Sequence, residues 1–201
     1  MATREGRAQP AQYPEIRITR TRAAGFAHHN GHMPDDVSLE RITEDHRPTV
    51  ERLWQLYMHD LSEYRSLLPD AEGLYRWGRL PLYFGDSDRC GYLIRRAGDL
   101  AGFALVRGLE ADARVVGEFF VVRAVRRQQV GRRATHLLFD RHPGRWEIPF
   151  QEINAGAARF WRAVATEAVG STWTEERRSI PGKPGLTPDT WVLLDTLAEH
   201  R

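Results

Sequence analysis

The spacing of apolar residues changes repeatedly along the chain, from every second position to every third or fourth. VSLERIT, which begins at Val37, alternates as a short strand does. From Pro48 to Leu61, apolar residues recur at three- and four-residue intervals, which predicts an amphipathic helix with its apolar face in the core. A shorter aromatic segment from about Ala71 to Tyr83 predicts a second helix.

Three consecutive strands follow in the pattern. The runs CGYLIRR and LAGFALVRG are joined by Ala97, Gly98 and Asp99, where a glycine supplies the positive φ that a tight hairpin needs. A third run, ARVVGEFFVV, comes after another polar turn. Because the connections are short, we expect an antiparallel meander.

Helices and strands alternate in the last part of the chain. Apolar residues from Val130 to Leu138 mark one face of a helix that ends before Pro143. RWEIPFQ then predicts a strand, NAGAARFWRAVATEAV a helix, and STWTEERR and TWVLLDT two final strands. The predicted order is one strand, two helices, three strands, a helix, a strand, a helix and two strands. We therefore expect one α/β (or α+β) domain over residues 37–201.

The first 36 residues, by contrast, show neither period and are rich in Arg, Ala, Gly and Pro. Such a composition is typical of a flexible extension. His28, His29 and His32 lie in this segment without carboxylate or thiolate partners, so we expect no metal site there.

Composition limits the classes of function. The 201 residues, 41% of them hydrophobic, suffice for one sizeable core, and a net charge of +2 makes no global polycation. The single cysteine, Cys90, excludes a disulfide framework and a multi-cysteine zinc site. No apolar run approaches the ~20 residues that span a bilayer, and the N-terminus lacks a secretion signal. We expect a cytoplasmic protein, a monomer or homodimer, with no metal and no membrane partner.

Candidate chemistry is concentrated in FFVVRAVRRQQVGRRA, residues 119–134, where a strand pattern gives way to arginines around Gly131. A loop that feeds a helix exposes unpaired N–H groups and the positive end of the helix dipole, which together bind phosphates. Nearby arginines add charge-assisted hydrogen bonds. A solvated helix cap and a nucleic-acid surface over Arg123–Arg133 are the alternatives, although no aromatic stacking platform accompanies the arginines.

The order of elements and this motif resemble the GNAT acyltransferase superfamily over about Val37 to Thr196. The superfamily's signature is arginine or glutamine, two residues, glycine, one residue, then glycine or alanine. It is present at Arg126–Gly131, with Gln129 in place of the first glycine. The resemblance implies a mixed, largely antiparallel sheet of about six to seven strands, flanked by about four helices.

The resemblance also implies an N-acetyltransferase that uses acetyl-CoA and passes the acetyl group to a small, cationic amine by direct attack on the thioester. In relatives, the loop binds the pyrophosphate and the preceding strand pairs with the pantetheine amides. Asn154, at a motif position where relatives carry asparagine, is either a cofactor ligand or a helix N-cap. The cofactor-binding residues implied here are Phe119, Phe120, Val121, Arg126, Arg127, Gln128, Gln129, Val130, Gly131, Arg132 and Asn154.

An acceptor amine with a pKa of ~10.4 is almost entirely protonated at pH 7, so its attack benefits from a general base. Glu118, in the strand that would hold the cofactor, is the first candidate. Alternation puts Glu118 and Phe120 on one face unless a β-bulge intervenes, and an inert strand glutamate is the alternative. The other carboxylates considered for this role are Asp60, Glu63, Glu147 and Glu152.

Relatives commonly use a tyrosine to protonate the leaving thiolate, but Trp161 stands at that position and an indole does not titrate near neutral pH. Solvent or another tyrosine must then supply the proton, and Trp161 is expected to shape the cleft. The tyrosines available for this role or for substrate contact are Tyr57, Tyr64, Tyr75 and Tyr83. The expected acceptor side comprises Asp60, Glu63, Tyr83 and Trp161. A non-catalytic CoA- or nucleic-acid-binding module that uses Arg123–Arg133 is the alternative function.

Overall fold

A sheet of seven strands organises the part of the chain that the computed structural model describes, residues 36–180, 182, 185 and 187–197. The strands are β1 (Val37–Arg41), β2 (Arg89–Arg96), β3 (Asp99–Arg107), β4 (Ala113–Val121), β5 (Arg145–Phe150), β6 (Thr174–Arg178) and β7 (Asp189–Asp195). The α-helices are α1 (Arg47–Arg65), α2 (Val130–Arg141) and α3 (Ala155–Val169). The spatial order is β1-β2-β3-β4-β5-β7-β6, and only the β4–β5 pair is parallel.

The predicted strands, the meander and three of the predicted helices are confirmed. The helix predicted from Ala71 to Tyr83 is wrong, because only Leu80–Phe84 is helical there and forms a short 3₁₀ turn. Gly73 and Gly78 have φ values of +78° and +55°, which a right-handed helix does not allow. The side chain of Asp70 also accepts hydrogen bonds from two nearby backbone N–H groups and fixes a turn. Within the described residues, three α-helices therefore flank the sheet instead of about four.

Two apolar cores lie on opposite faces of the sheet. Helix α1, which has Pro48 in its first turn, buries Val50, Leu53 and Trp54 against one face. Helices α2 and α3 cover the opposite face, and their core includes Trp161. We call these the α1 face and the α2–α3 face. None of the described helices is both long and apolar enough to cross a membrane.

A β-bulge at Gly117 decides which face Glu118 occupies. Leu105 of β3 pairs with Glu118, whereas the next residue of β3, Val106, pairs with Val116, so Gly117 is the extra residue. The Tyr83 hydroxyl fills the position that a Cβ atom at residue 117 would take, so glycine is required there. As a result Val116 enters the α2–α3 core, while Glu118 and Phe120 lie on the α1 face.

Strands β4 and β5 separate soon after they meet. They pair only where Ala113–Val115 runs beside Arg145–Glu147. Further along β5, Pro149 pairs with β7 on one side and lacks an N–H group to donate on the other. Within the described residues, the second half of β4 therefore has a neighbouring strand only on its β3 side, and a cleft opens between β4 and β5.

The predicted N-terminal extension, residues 1–36, lies outside the described residues apart from Asp36, and so do His28, His29 and His32. Among the residues that the structure does describe, no group of three or more His, Cys, Asp or Glu side chains is placed to hold a metal ion.

Candidate active site

Glu118 lies at the centre of a partly buried polar site beside the cleft. The Tyr57 hydroxyl, from α1, donates a hydrogen bond to Oε2 of Glu118. Burial raises the pKa of Glu118 above its ordinary value, although the Tyr57 hydrogen bond and the charges of Arg65 and Arg107 act to lower it. A carboxylate with a raised pKa is a better proton acceptor than a solvated one, so this geometry suits a general base.

Both tyrosines next to Glu118 are held as neutral phenols. Burial, and then the charge of Glu118, raise the pKa of Tyr57 well above its ordinary value and also raise the pKa of Tyr83. The Tyr57 ring contacts Phe103 and Phe120, with centroid distances of 5.6 and 6.0 Å, which fixes its position. Tyr57 therefore orients the carboxylate, while Tyr83 is buried beneath Gly117.

Three of the other carboxylates considered as bases, Asp60, Glu147 and Glu152, are ion-paired. Glu147 accepts two hydrogen bonds from Arg178, at 2.5 and 2.9 Å, and these lower its pKa. Hydrogen bonds from Arg162 lower the pKa of Glu152 in the same way. Such carboxylates are weak bases because a cation stabilises their ionised form. Among these candidates the electrostatics favour Glu118.

Asp60 is bound to the arginine-rich loop instead of facing Glu118. It accepts hydrogen bonds from Arg123 at 2.6 and 2.9 Å and a further one from Arg126. Burial acts to raise the pKa of Asp60, but the bonds from Arg126 and Arg123 outweigh it and the pKa is lowered. Asp60 thus connects α1 to the segment that follows β4.

Glu63, Tyr64 and Tyr75 lie away from the carboxylate of Glu118. A cavity of about 510 Å³ beside the end of α1 contains Asp60 and Glu63, but its lining includes neither Glu118 nor Tyr57. The peptide groups of Tyr75 are bound by the side chain of Gln55, at 2.7 and 3.1 Å. No hydrogen bond or ring contact joins Tyr64 or Tyr75 to Glu118 in the described part of the chain. Of the expected tyrosines, the structure brings Tyr57 and Tyr83 to the base.

The cleft side of β4 presents backbone groups that a ligand can bind. The N–H of Val122 donates to the carbonyl of Ala101 in the β3 direction, at 2.9 Å. In an antiparallel pair such bonds occur at every second residue, so the backbone groups of Phe120 also face β3. Those of Phe119 and Val121 face the cleft, and the Val121 carbonyl accepts a bond from Arg126 at 2.7 Å. Phe119 therefore has the most accessible backbone groups of the three.

The loop from Arg126 to Gly131 leads into the N-terminus of α2. The first helical bond runs from the N–H of Arg133 to the carbonyl of Gln129, at 3.0 Å. The N–H groups of Val130, Gly131 and Arg132 precede it and have no intrahelical acceptor, as in any first helical turn. Together with the positive end of the helix dipole, they form a site for an anion.

The side chains around this N-terminus are mostly paired. Arg132 binds Glu167 of α3, with one nitrogen–oxygen distance of 2.7 Å. Gln128 accepts a bond from Arg96 at 2.5 Å and donates to the carbonyl of Ala124 at 2.9 Å. Arg127 is exposed and forms no ion pair with any residue that the structure describes. Of the motif arginines, Arg127 is therefore the one whose charge is available to a phosphate.

Gln129 occupies a backbone conformation that glycine adopts more readily. Its φ is +64°, in the left-handed region, and it is the N-cap of α2. This conformation costs a residue with a side chain roughly 1–2 kcal/mol, and glycine avoids that cost. Glycine loses more backbone entropy on folding, however, which offsets part of the gain. The backbone conformation therefore gives a second reason, besides room for a ligand, why the superfamily's signature has glycine at this position.

We expect Gln129→Gly to raise the free energy of unfolding by about 0.5–1 kcal/mol, because glycine removes the strain at φ +64°. Urea titration measures this as a higher midpoint with an unchanged m-value. Gln128→Gly is the matched control, since Gln128 is not among the residues with positive φ. It should lose stability, and an equal loss in both variants would contradict the strain at residue 129.

Asn154 and Trp161 are both explained by packing within α3. The Asn154 side chain accepts a hydrogen bond from the N–H of Ala157 at 3.0 Å and caps the helix. Trp161 is only 5% exposed and contacts Phe119 and Phe160, with centroid distances of 5.3 and 4.8 Å. It lies on the α2–α3 face, on the other side of the sheet from the Glu118 carboxylate.

Sequence reasoning missed several residues of the α1 face. Arg65 and Arg107 supply the charges near Glu118, and Asp189 and Trp191 of β7 lie further along the same face. A glycine inside a strand pattern, Gly117, was a signal for the bulge. No local signal connects β7 to the α1 face, because the order of the strands determines that contact.

The comparisons with known proteins agree with this architecture. No protein-family model and no curated protein matches the sequence. Among solved structures, a probable GNAT-family acetyltransferase from Chromobacterium violaceum is 20% identical with a TM-score of 0.57, covering 97% of this chain and 98% of that one. An acetyltransferase from Thermus thermophilus is 16% identical with a TM-score of 0.57, covering 80% and 97%.

A third similar structure is the diaminobutyrate acetyltransferase EctA from Paenibacillus lautus, bound to L-2,4-diaminobutyric acid and coenzyme A. It is 14% identical with a TM-score of 0.56, over 82% of this chain and 98% of that one. Identities this low establish the fold alone. The similarity to these structures, together with the seven-stranded, largely antiparallel sheet, shows that the chain has the fold of the GNAT superfamily.

Proposed function

We propose that the protein is an N-acetyltransferase that transfers an acetyl group from acetyl-CoA to the amine of a small molecule. One observation carries the proposal: Glu118, a carboxylate whose pKa is raised by burial, lies next to the strand edge that opens into the β4–β5 cleft. The fold is that of a superfamily of acyl-CoA-dependent transferases, which supports the same reaction class.

Acetyl-CoA fits the cleft in two places. The unpaired N–H groups at the start of α2 and the Arg127 side chain would bind its pyrophosphate. The cleft-facing backbone groups of Phe119 would pair with an amide of the pantetheine arm, as an added strand does. This arrangement would place the thioester near Glu118, with the acceptor amine entering from the α1 face.

In the proposed reaction, Glu118 accepts a proton from the acceptor's ammonium group, directly or through one water molecule. The neutral nitrogen attacks the thioester carbonyl carbon, a C–N bond forms, and the C–S bond breaks. The electron pair of that bond leaves with the CoA sulfur as a thiolate, and the second proton, which the nitrogen loses after its attack, passes through solvent to this thiolate. Tyr57 keeps its own proton throughout, because its pKa is raised well above neutrality, and it holds the carboxylate in position.

The alternative, a non-catalytic module that binds nucleic acid through Arg123–Arg133, has less support. Arg123 and Arg126 both pair with Asp60, whose single charge offsets one of them, and Arg132 pairs with Glu167. Non-specific binding to nucleic acid depends on the number of cations that remain available for phosphates. These three arginines are therefore engaged within the protein.

A panel of amines incubated with acetyl-CoA tests the function, with free thiol as the readout. We expect thiol release above the rate of spontaneous hydrolysis for at least one small amine. Absence of CoA binding, combined with salt-dependent binding of single-stranded oligonucleotides, would instead favour the nucleic-acid module.

A further inference from the structure

The α1 face continues from Glu118 across β5 to β7. Pro149 of β5 pairs with Trp191 of β7. Their chain neighbours Ile148 and Val192 are buried in the α2–α3 core, so the side chains of Pro149 and Trp191 lie on the other side of the sheet, on the α1 face. Two residues before Trp191 on the same strand, Asp189 has the same orientation. On the α1 face, Pro149 of β5 therefore lies between the strand that carries Glu118 and the strand that carries Trp191.

Two buried polar atoms on this face have no hydrogen-bond partner among the residues that the structure describes. They are Oδ1 of Asp189, an acceptor, and Nε1 of Trp191, a donor. Buried groups of this kind are rare in folded proteins, because a hydrogen bond that is lost on burial costs free energy, and a bound ligand can restore it. The two residues are separated by about 7 Å along the strand, which is within the span of one small ligand.

The indole of Trp191 is held in place. The Arg178 guanidinium lies 4.4 Å from the centroid of the Trp191 ring, and the same guanidinium is bound to Glu147 at 2.5 and 2.9 Å. Because Arg178 is itself held by Glu147, its contact with the Trp191 ring fixes the direction in which the indole N–H points. The donor is therefore preorganised for a ligand.

The charges on this face are complementary to a zwitterion. Arg65, at the end of α1, acts electrostatically on both Asp189 and Glu118, and it forms no ion pair with a described residue. Burial raises the pKa of Asp189, and the Arg65 charge only partly opposes this effect. An unpaired anion, an unpaired cation and an unpaired N–H donor, all of them within the described part of the chain, therefore lie together beyond the general base.

We propose that Asp189 and Trp191 bind the α-amino-acid head of a diamino acid, whose distal amine is the acetyl acceptor. Asp189 accepts hydrogen bonds from the α-ammonium group, and the Trp191 indole N–H donates to the carboxylate, which also faces the Arg65 charge. The side chain of the ligand extends across Pro149 and brings its amine to Glu118. A simple diamine leaves the indole donor unpaired, and an amino acid without the α-ammonium leaves Asp189 unpaired. The inference rests on the proposed function.

Three probes separate these contacts in calorimetric titrations of the CoA-saturated protein. L-ornithine has both groups of the head, 1,4-diaminobutane is ornithine without the carboxylate, and 5-aminopentanoate is ornithine without the α-ammonium. We expect ornithine to bind at least about tenfold more tightly than either analogue, since each lost contact involves a charged group. L-2,4-diaminobutyrate and L-lysine, tested alongside, show which chain length fits best.

Two variants assign the contacts to residues. Trp191→Phe should reduce the affinity for ornithine toward that for 1,4-diaminobutane, with the Arg65 charge retained, and Asp189→Asn should reduce it toward that for 5-aminopentanoate. Asp195→Asn is the matched control, because Asp195 lies on the same face at the other end of β7, and it should leave ornithine binding unchanged. Unchanged CoA affinity shows that each variant is folded.

Equal affinities for the three probes, or no binding of any diamino acid to the CoA-saturated protein, would overturn this inference. Thiol release with a monoamine would still support the proposed function in that case. Selective binding of ornithine without acetylation would support the site and count against the proposed function. If CoA does not bind when the protein is titrated with it before the probes are added, both this inference and the proposed function are overturned.

Discussion

Glu118→Gln is expected to lower kcat by about 10²- to 10⁴-fold while leaving the affinity for CoA almost unchanged. Glutamine keeps the shape of the side chain and its contact with the Tyr57 hydroxyl, but it cannot accept a proton from an ammonium group. The measurement is steady-state thiol release with saturating acetyl-CoA and the best acceptor of the amine panel. Calorimetric titration with CoA gives the affinity.

Glu110→Gln is the matched control for this prediction, because Glu110 is an exposed glutamate in the turn between β3 and β4. Its turnover should equal that of the wild type. If Glu118→Gln also turns over at the wild-type rate, the base is another group or water, and the mechanism proposed for Glu118 is wrong.

The raised pKa of Glu118 also determines the pH dependence. As the pH falls through this pKa, which lies above the ordinary value of 4.5, the carboxyl group becomes protonated and kcat/KM falls. The folded state binds this proton more tightly than the unfolded state, so the free energy of unfolding decreases as the pH rises from 4.5 through the folded-state pKa. The glutamine variant should lack both the acidic limb of activity and this loss of stability.

Coenzyme A is expected to stabilise the folded protein, and Gly131→Glu is expected to abolish that effect. At a hundred times its Kd, a ligand adds about 2.7 kcal/mol to the free energy of unfolding. For a domain of this size, that corresponds to a rise in Tm on the order of 5–10 °C. A glutamate at residue 131 places a negative charge among the N–H groups that would bind the pyrophosphate.

Two controls separate this charge from a packing defect. A Cβ atom at residue 131 would lie 3.2 Å from the Phe160 ring, so Gly131→Ala measures the cost of the added atom alone. A Cβ atom at Gly85 would meet nothing within 4 Å, so Gly85→Glu adds the charge at an open site. Both controls should retain the shift in Tm, whereas a full shift in Gly131→Glu would show that the nucleotide binds elsewhere.

The fold followed from the sequence wherever a segment had a clear period. The run of apolar and β-branched residues in ARVVGEFFVV and the three- and four-residue spacing after Pro48 each led to the correct element. The helix predicted from Ala71 to Tyr83 was wrong, because Gly73 and Gly78 within this aromatic segment adopt positive φ. Backbone conformation at two glycines thus outweighed the side-chain pattern.

The candidate site followed from the sequence only in part. Glu118 was identified from its place in the strand, and the structure adds the bulge at Gly117 that directs it to the α1 face. The sequence predicts that the arginines of the loop bind phosphate, but Asp60, more than sixty positions earlier in the chain, binds two of them. Asp189 and Trp191 were missed, because only the pairing of β5 with β7 brings them near Glu118.

Transfer of the acetyl group to an acceptor nitrogen is the central claim, and mass spectrometry of the acceptor tests it most directly. The protein is incubated with isotopically labelled acetyl-CoA and L-ornithine, together with the amines of the panel, and each acceptor is analysed for label. We predict one labelled acetyl group on an amine nitrogen with the wild-type protein, and about 10²- to 10⁴-fold slower labelling with Glu118→Gln. Acceptors that remain unlabelled while acetyl-CoA binds to the protein would contradict the proposed transferase.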